Sequence, residues 1–207
     1  MPVLTYKTLA GPCDAELKDK GSKFMAFAHP IKHPDEVKAL LEPLKKEHFK
    51  AVHFCYAYRL GPDGSVFRAN DDGEPSGSAG RPILGQIDSA GLTDLVVIVV
   101  RYFGGTLLGV PGLIQAYKGV SALALAEATV IEKNVTHQAQ LLFEYATMND
   151  VMRLIKAHEV VILAQEMTYD CRFDISVPLA QKEAFLNAIT HLRTVKIAPI
   201  NFECVPE

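Results

Sequence analysis

The chain has 207 residues, of which 49% are hydrophobic and 22% charged, and its formal net charge is −3. That balance supports a packed core and excludes a wholly disordered chain. A broadly basic surface for gripping a phosphate backbone is excluded as well: residues 1–132 carry 14 Lys and Arg against 15 Asp and Glu, and residues 133–207 carry 7 against 9.

The length suits two domains, of about 75 and about 130 residues. Four cysteines, Cys13, Cys55, Cys171 and Cys204, contain no C-x-x-C pair, so neither a zinc site nor a disulfide framework is expected. Cys55, Cys171 and Cys204 sit in apolar, strand-like runs and read as buried thiols. The N-terminal stretch has no basic region followed by an apolar one, and Leu95–Val100, the longest apolar run, is too short to span a bilayer. The expectation is a cytoplasmic protein without membrane contact.

In chain order, Lys23–His29 reads as a strand, and Asp35 as the cap of a helix through Glu47 that presents Val37, Leu40, Leu41 and Leu44 on one face. Pro43 predicts a kink or break in that helix. His53–Leu60 and Ser65–Asn70 flank Gly61-Pro62-Asp63-Gly64 and form a hairpin. Alternation puts His53, Cys55, Ala57 and Arg59 on one face, and Phe54, Tyr56, Tyr58 and Leu60 on the other. After the loop Asp71–Gly80 a short helix runs from about Arg81 to Ser89, with Pro82 in its first turn. Asp94–Phe103 is apolar on both faces and marks a central strand. The loop Gly104–Gly112 leads into a long helix to about Glu132, whose buried stripe is Leu113, Tyr117, Val120, Ala124 and Ala128.

Lys133–Asn134 reads as the domain boundary. Beyond it the pattern is strand Val135–Tyr145, helix Asn149–Glu159, strand Val160–Thr168, strand Asp170–Val177, helix Leu179–Leu192 and strand Val195–Cys204. This β-α-β-β-α-β order is that of a ferredoxin-like domain. The fold class is mixed α/β (α+β), in domains 1–132 and 133–207.

Two glycine-rich loops carry the chemistry. Gly104 and Gly109 have the spacing that opens a P-loop, but Val110-Pro111 stands where Lys and Ser or Thr are needed. No G-x-G-x-x-G occurs either, so both nucleotide motifs fail. Gly104, Gly105, Thr106, Gly109 and Gly112 leave a turn with free backbone amides at a helix N-terminus, open either to an anion or to close helix–sheet packing. In the first loop Asp71, Asp72 and Glu74 precede Ser76 and Ser78, and Arg81 opens the next helix. Ser78 suits a helix cap, and the acids suit a hard cation, although their spacing is not that of a calcium loop. No metal, cofactor or catalytic residue is assigned. Arg101 interrupts an apolar strand and requires either an acidic partner from the first loop or a ligand. Arg59 joins the candidate ligand-binding set, and His53 reads as a structural histidine, with a general base as the alternative.

Three segments in order, HFCYAYR (residues 53–59), NDDGEPSGSAGRPIL (70–84) and VVIVVRYFGGTLLGVPGLIQAY (96–117), resemble the YigZ/IMPACT family. Val110-Pro111 departs from the family pattern, which has a small or hydroxyl residue before the glycine. The resemblance implies a first domain with the β-α-β superfold of a small-subunit ribosomal protein and of some kinases. It implies a second domain similar to the C-terminal domain of elongation factor G. It also implies a role in regulating translation, with RNA, the ribosome or a translation-related protein as partner. One functional reading is therefore a non-enzymatic binding module that uses Arg81, Arg101 and the loop amides. The alternative is a metal-assisted enzyme acting on a small phosphorylated or acyl substrate through Asp71, Asp72 and Glu74. A third reading places a protein-recognition surface on the second domain.

Overall fold

The computed structural model describes residues 2–199, and its contacts divide them into two compact units, Tyr6–Lys133 and residues 134–199 with 2–5. The first unit contains β1 (Thr5–Leu9), β2 (Cys13–Asp19), β3 (Ser22–Pro30), α1 (Glu36–Glu47), β4 (His53–Leu60), β5 (Val66–Asn70), α2 (Gly80–Ala90), β6 (Leu95–Tyr102), α3 (Gly109–Ala126) and β7 (Val130–Asn134). Strands β2-β3-β6-β4-β5 form one sheet in which each neighbouring pair is antiparallel, while β1 pairs with β7. Because β3 and β4 both run opposite to β6 between them, β3-α1-β4 is a split β-α-β unit.

β6 is apolar on both faces because both are covered. Leu95, Val97 and Val99 join the core under α2 and α3, whereas Val96 and Ile98 join the smaller core under α1. The predicted faces of β4 divide in the same way, with Cys55 and Ala57 in the first core and Tyr58 and Leu60 in the second. By the same alternation Arg101 points toward α3 rather than α1, and this one geometric consequence positions the site.

Several expectations give way to tertiary context. The helix α1 runs unbroken through Pro43. Asp35 makes no side-chain cap; Glu36 Oε1 instead accepts from the Lys32 and His33 amides at 2.7 and 2.8 Å. The helix α3 ends at Ala126, and Val130–Asn134 leaves it to pair with β1. The strands β1 and β2 lie in a stretch with no sequence expectation. In β2 the alternation of Cys13, Ala15 and Leu17 onto the core is diluted by small side chains.

The second unit contains β8 (Thr136–Glu144), α4 (Met148–Ala157), β9 (Val161–Met167), β10 (Asp170–Pro178), α5 (Lys182–Thr190) and β11 (Lys196–Pro199). Its sheet order is β11-β8-β10-β9, antiparallel throughout, the arrangement of a ferredoxin-like domain. Cys171, Phe173, Ile175 and Val177 of β10 are buried with Leu141, Phe143, Phe185 and Ile189. The rings of Phe143 and Phe173 meet edge to face, 5.1 Å between centroids. The expected last strand, Val195–Cys204, is observed from Lys196 to Pro199; its remainder, with Cys204, lies outside the described residues.

Candidate functional site

The acidic loop between β5 and α2 is a closed structure in which each acid has a different partner. Asp71 Oδ1 accepts from the Ala79 and Gly80 amides at 3.0 and 2.8 Å, and its Oδ2 accepts from Gly77 N at 2.9 Å. The carboxylate therefore does the capping expected of Ser78, whose Oγ instead donates to Pro75 O at 2.6 Å. Burial alone would raise the Asp71 pKa. The three amides and the nearby Arg81 outweigh it and hold the carboxyl below its ordinary range.

Asp72 adopts a left-handed backbone, φ 42°, which aims its carboxylate Oδ2 at Phe54 N, 2.6 Å away, and its carbonyl at His53 Nδ1, 2.8 Å away. A carbonyl only accepts, so Nδ1 carries the proton and His53 Nε2 is left facing Glu74 Oε1 at 3.9 Å. Glu74 is buried. Its Oε1 takes one bond from Arg101 Nη1 and one from the Tyr117 hydroxyl, both at 2.7 Å.

Behind Tyr117 lies Cys55, with its Sγ 3.3 Å from the Tyr117 hydroxyl and 3.0 Å from Asp71 O. Burial and the surrounding carboxylates push this thiol up to about 12, against a smaller opposing effect of the Tyr117 hydroxyl. Burial chiefly, with Cys55 and Glu74 beside it, also raises the Tyr117 phenol. Such a thiol is a packed side chain, not a nucleophile. The β4, β6, acidic-loop and α3 residues are thus tied into one network.

Arg101 is only 5% exposed, and its guanidinium lies 5.5 Å from the Phe24 ring centroid and 5.8 Å from that of Phe103. Its Nε has no hydrogen-bond partner. The arginine, Glu74 and His53 line a cavity of about 420 Å³ whose other walls include Phe103, Leu108, Val110 and Leu113. The loop above it is exposed, Leu107 most of all at 84%, and Phe103 and Val110 are about half exposed.

The sequence-predicted residues separate into three groups. Glu74 and Arg101 meet as an ion pair beside the cavity, and Gly109 and Val110 bring the start of α3 to its wall. Asp71, Asp72 and Ser78 shape the acidic loop, while Ser76 and Arg81 are exposed on it. Arg59 belongs elsewhere: Nε donates to Asp88 Oδ1 at 2.6 Å, Nη1 to Gly64 O, and the guanidinium covers Phe67 near the hairpin turn.

On the glycine loop, Gly105 and Thr106 are exposed, and Gly112 packs on Leu108. A methyl at Gly104 would be built into the Gly21 backbone, so Gly104 serves close packing against the β2–β3 turn. The three acids turn to separate partners and not to one common point. Among the described residues no group of three or more His, Cys, Asp or Glu side chains gathers as a metal site. Tyr117 was legible only as a core position. Its signal was the one hydroxyl in the predicted stripe of Leu113, Tyr117, Val120, Ala124 and Ala128.

Residues 20–125 match the family model described as the Impact N-terminal domain. "IMPACT family member YigZ" of Escherichia coli (strain K12) is 32% identical over 178 residues, covering 85% of this chain and 87% of that one. "IMPACT family member YvyE" of Bacillus subtilis (strain 168) is 28% identical over 192 residues, covering 93% and 88%. A crystal structure of a hypothetical protein matches at 27% identity with a TM-score of 0.74, covering 97% of this chain and 99% of that one.

Proposed function

The chain belongs to the IMPACT family, and from that premise we propose that it is a non-enzymatic, translation-associated binding module whose contact surface is the outward face of the Phe103–Val110 loop. The observation that carries this reading is a contrast across one loop. Outside, Phe103, Leu107 and Val110 are exposed apolar side chains on a glycine-rich backbone. Beneath, Glu74 Oε1 accepts from Arg101 Nη1 and from the Tyr117 hydroxyl, and Asp71 is taken up by three amides. An apolar rim over acids that are already engaged favours recognition over proton or phosphoryl transfer.

The partner that suits this surface is a protein of the translation machinery. The net charge of −3 and the internal pairing of Arg59 and Arg101 favour a protein over a nucleic-acid backbone. Co-sedimentation with ribosomes tests the reading, with Leu107→Glu and Phe103→Glu as the disabling variants. Binding is expected at low and at moderate salt, and loss in the double variant. If the chain stays in the supernatant at low salt, or the double variant pellets unchanged, the reading fails. A steep salt dependence abolished by nuclease would assign the contact to RNA instead.

A further inference from the structure

We propose that the cavity beneath this loop binds a small monocarboxylic acid with an apolar body. The site shares Phe103, Leu107 and Val110 with the rim of that loop, and its test is read without any ribosomal partner. At about 420 Å³ the cavity lies in the size range of small-molecule sites, and Leu108, Val110 and Leu113 give it apolar walls. A branched aliphatic or phenyl group fits such a lining.

Two sets of donors define the charged end. Arg101 is nine-tenths buried or more, its Nη1 is used by Glu74, and its Nε–H has no acceptor. An unmade bond on a buried cationic donor is costly, and an incoming oxygen recovers that cost. The Nε–H itself is buried, so an incoming oxygen reaches it only with a shift of Phe103, whose half-exposed ring lies 5.8 Å from the guanidinium. The second set is the start of α3. Gly109 and Val110 line the cavity, and the helix begins there with no side-chain cap on its first amides. Those amides and the positive end of the helix receive the second carboxylate oxygen.

Arg101 and Glu74 cancel in charge, so a monoanion is tolerated better than a dianion. Glu74 stays in the wall as the partner of Arg101, so a dianionic phosphate would face a carboxylate across an apolar cavity. A carboxylate brings one charge and two acceptors, matching the two donor sets.

Calorimetric titration of the purified 207-residue chain tests this with 3-phenylpropionate and 4-methylpentanoate, their primary amides, and methyl phosphate. The acids are expected to bind, with each amide at least about tenfold weaker through loss of the charge-assisted bonds. Val110→Asp places a carboxylate in the first turn of α3, where it suits the helix end and preserves folding while competing for the anion position. That variant is expected to lose acid binding with an unchanged circular dichroism spectrum. The proposal is overturned if neither acid binds at millimolar concentration, if acid and amide bind alike, if methyl phosphate binds as well as the acids, or if folded Val110→Asp keeps full affinity. All of these are read on the isolated chain, so none bears on ribosome co-sedimentation.

Discussion

Replacing Asp71 with asparagine isolates the residue that organises the acidic loop. The native carboxylate accepts three backbone hydrogen bonds at 2.8–3.0 Å, two on Oδ1 and one on Oδ2. An asparagine oriented to keep its oxygen toward Ala79 and Gly80 turns its NH₂ toward Gly77 N–H. One bond is then lost, two lose their charge assistance, and the start of α2 loses its anion. With charged hydrogen bonds worth about 1.5–3 kcal/mol each and an anion at a helix end about 0.3–1 kcal/mol, the expected cost is about 2–4 kcal/mol. That corresponds to a fall in Tm of roughly 6–12 °C.

The pH dependence has a definite sign. The folded-state pKa lies below that of the unfolded chain, so the stabilisation is complete above the unfolded value of about 4 and disappears as pH falls through the folded one. Urea denaturation of wild type and Asp71→Asn across pH 7 to 3 should therefore show a constant gap down to about pH 5 that narrows below about pH 4. Amide exchange at Gly77, Ala79 and Gly80 should accelerate in the variant, a local readout that does not require two-state unfolding of a two-unit chain. A gap below about 0.5 kcal/mol at pH 7, or one that persists unchanged at pH 3, would refute the capping role.

Glu74→Ala leaves the Arg101 charge buried without its partner and should cost about 3–5 kcal/mol by urea denaturation, with part recovered in Glu74→Gln/Arg101→Met; an additive pair would show that the ion pair is not coupled. Gly104→Ala should destabilise far more than Gly105→Ala. The first would place a methyl in the Gly21 backbone, whereas the second meets no atom and carries only the strain of φ +85°, about 1 kcal/mol; equal thermal shifts would contradict the close-packing role.

Much of the fold was legible because hydrophobic periodicity is a local property. β6 announced its double coverage in six consecutive apolar residues, and β10 its core face in Cys171, Phe173, Ile175 and Val177. The β-α-β-β-α-β order of the second unit followed from the same periodicities. What failed to show locally were β1, β2 and β7. They are short or poor in large apolar residues, and they exist because a neighbouring strand is available to pair with. The end of α3 falls short of the sequence expectation for the same reason, as Val130–Asn134 continues a helical pattern until β1 offers it a ladder.

At the site, the sequence by itself determined that two glycine-rich loops flank an apolar strand ending in Arg101, and that neither loop is a nucleotide motif. Segment identities and their order also placed the chain in its family, since they require no knowledge of contacts. Only the tertiary structure decided the partners. Asp71 rather than Ser78 holds the start of α2, Arg59 belongs to a hairpin, and Glu74 takes Arg101 together with Tyr117 from 43 residues away. A charge in a sequence states only that it needs a counterpart. Which group supplies it, and which donor stays unpaired beside a cavity, depends on where distant backbone segments bring their side chains, and no local spacing encodes that.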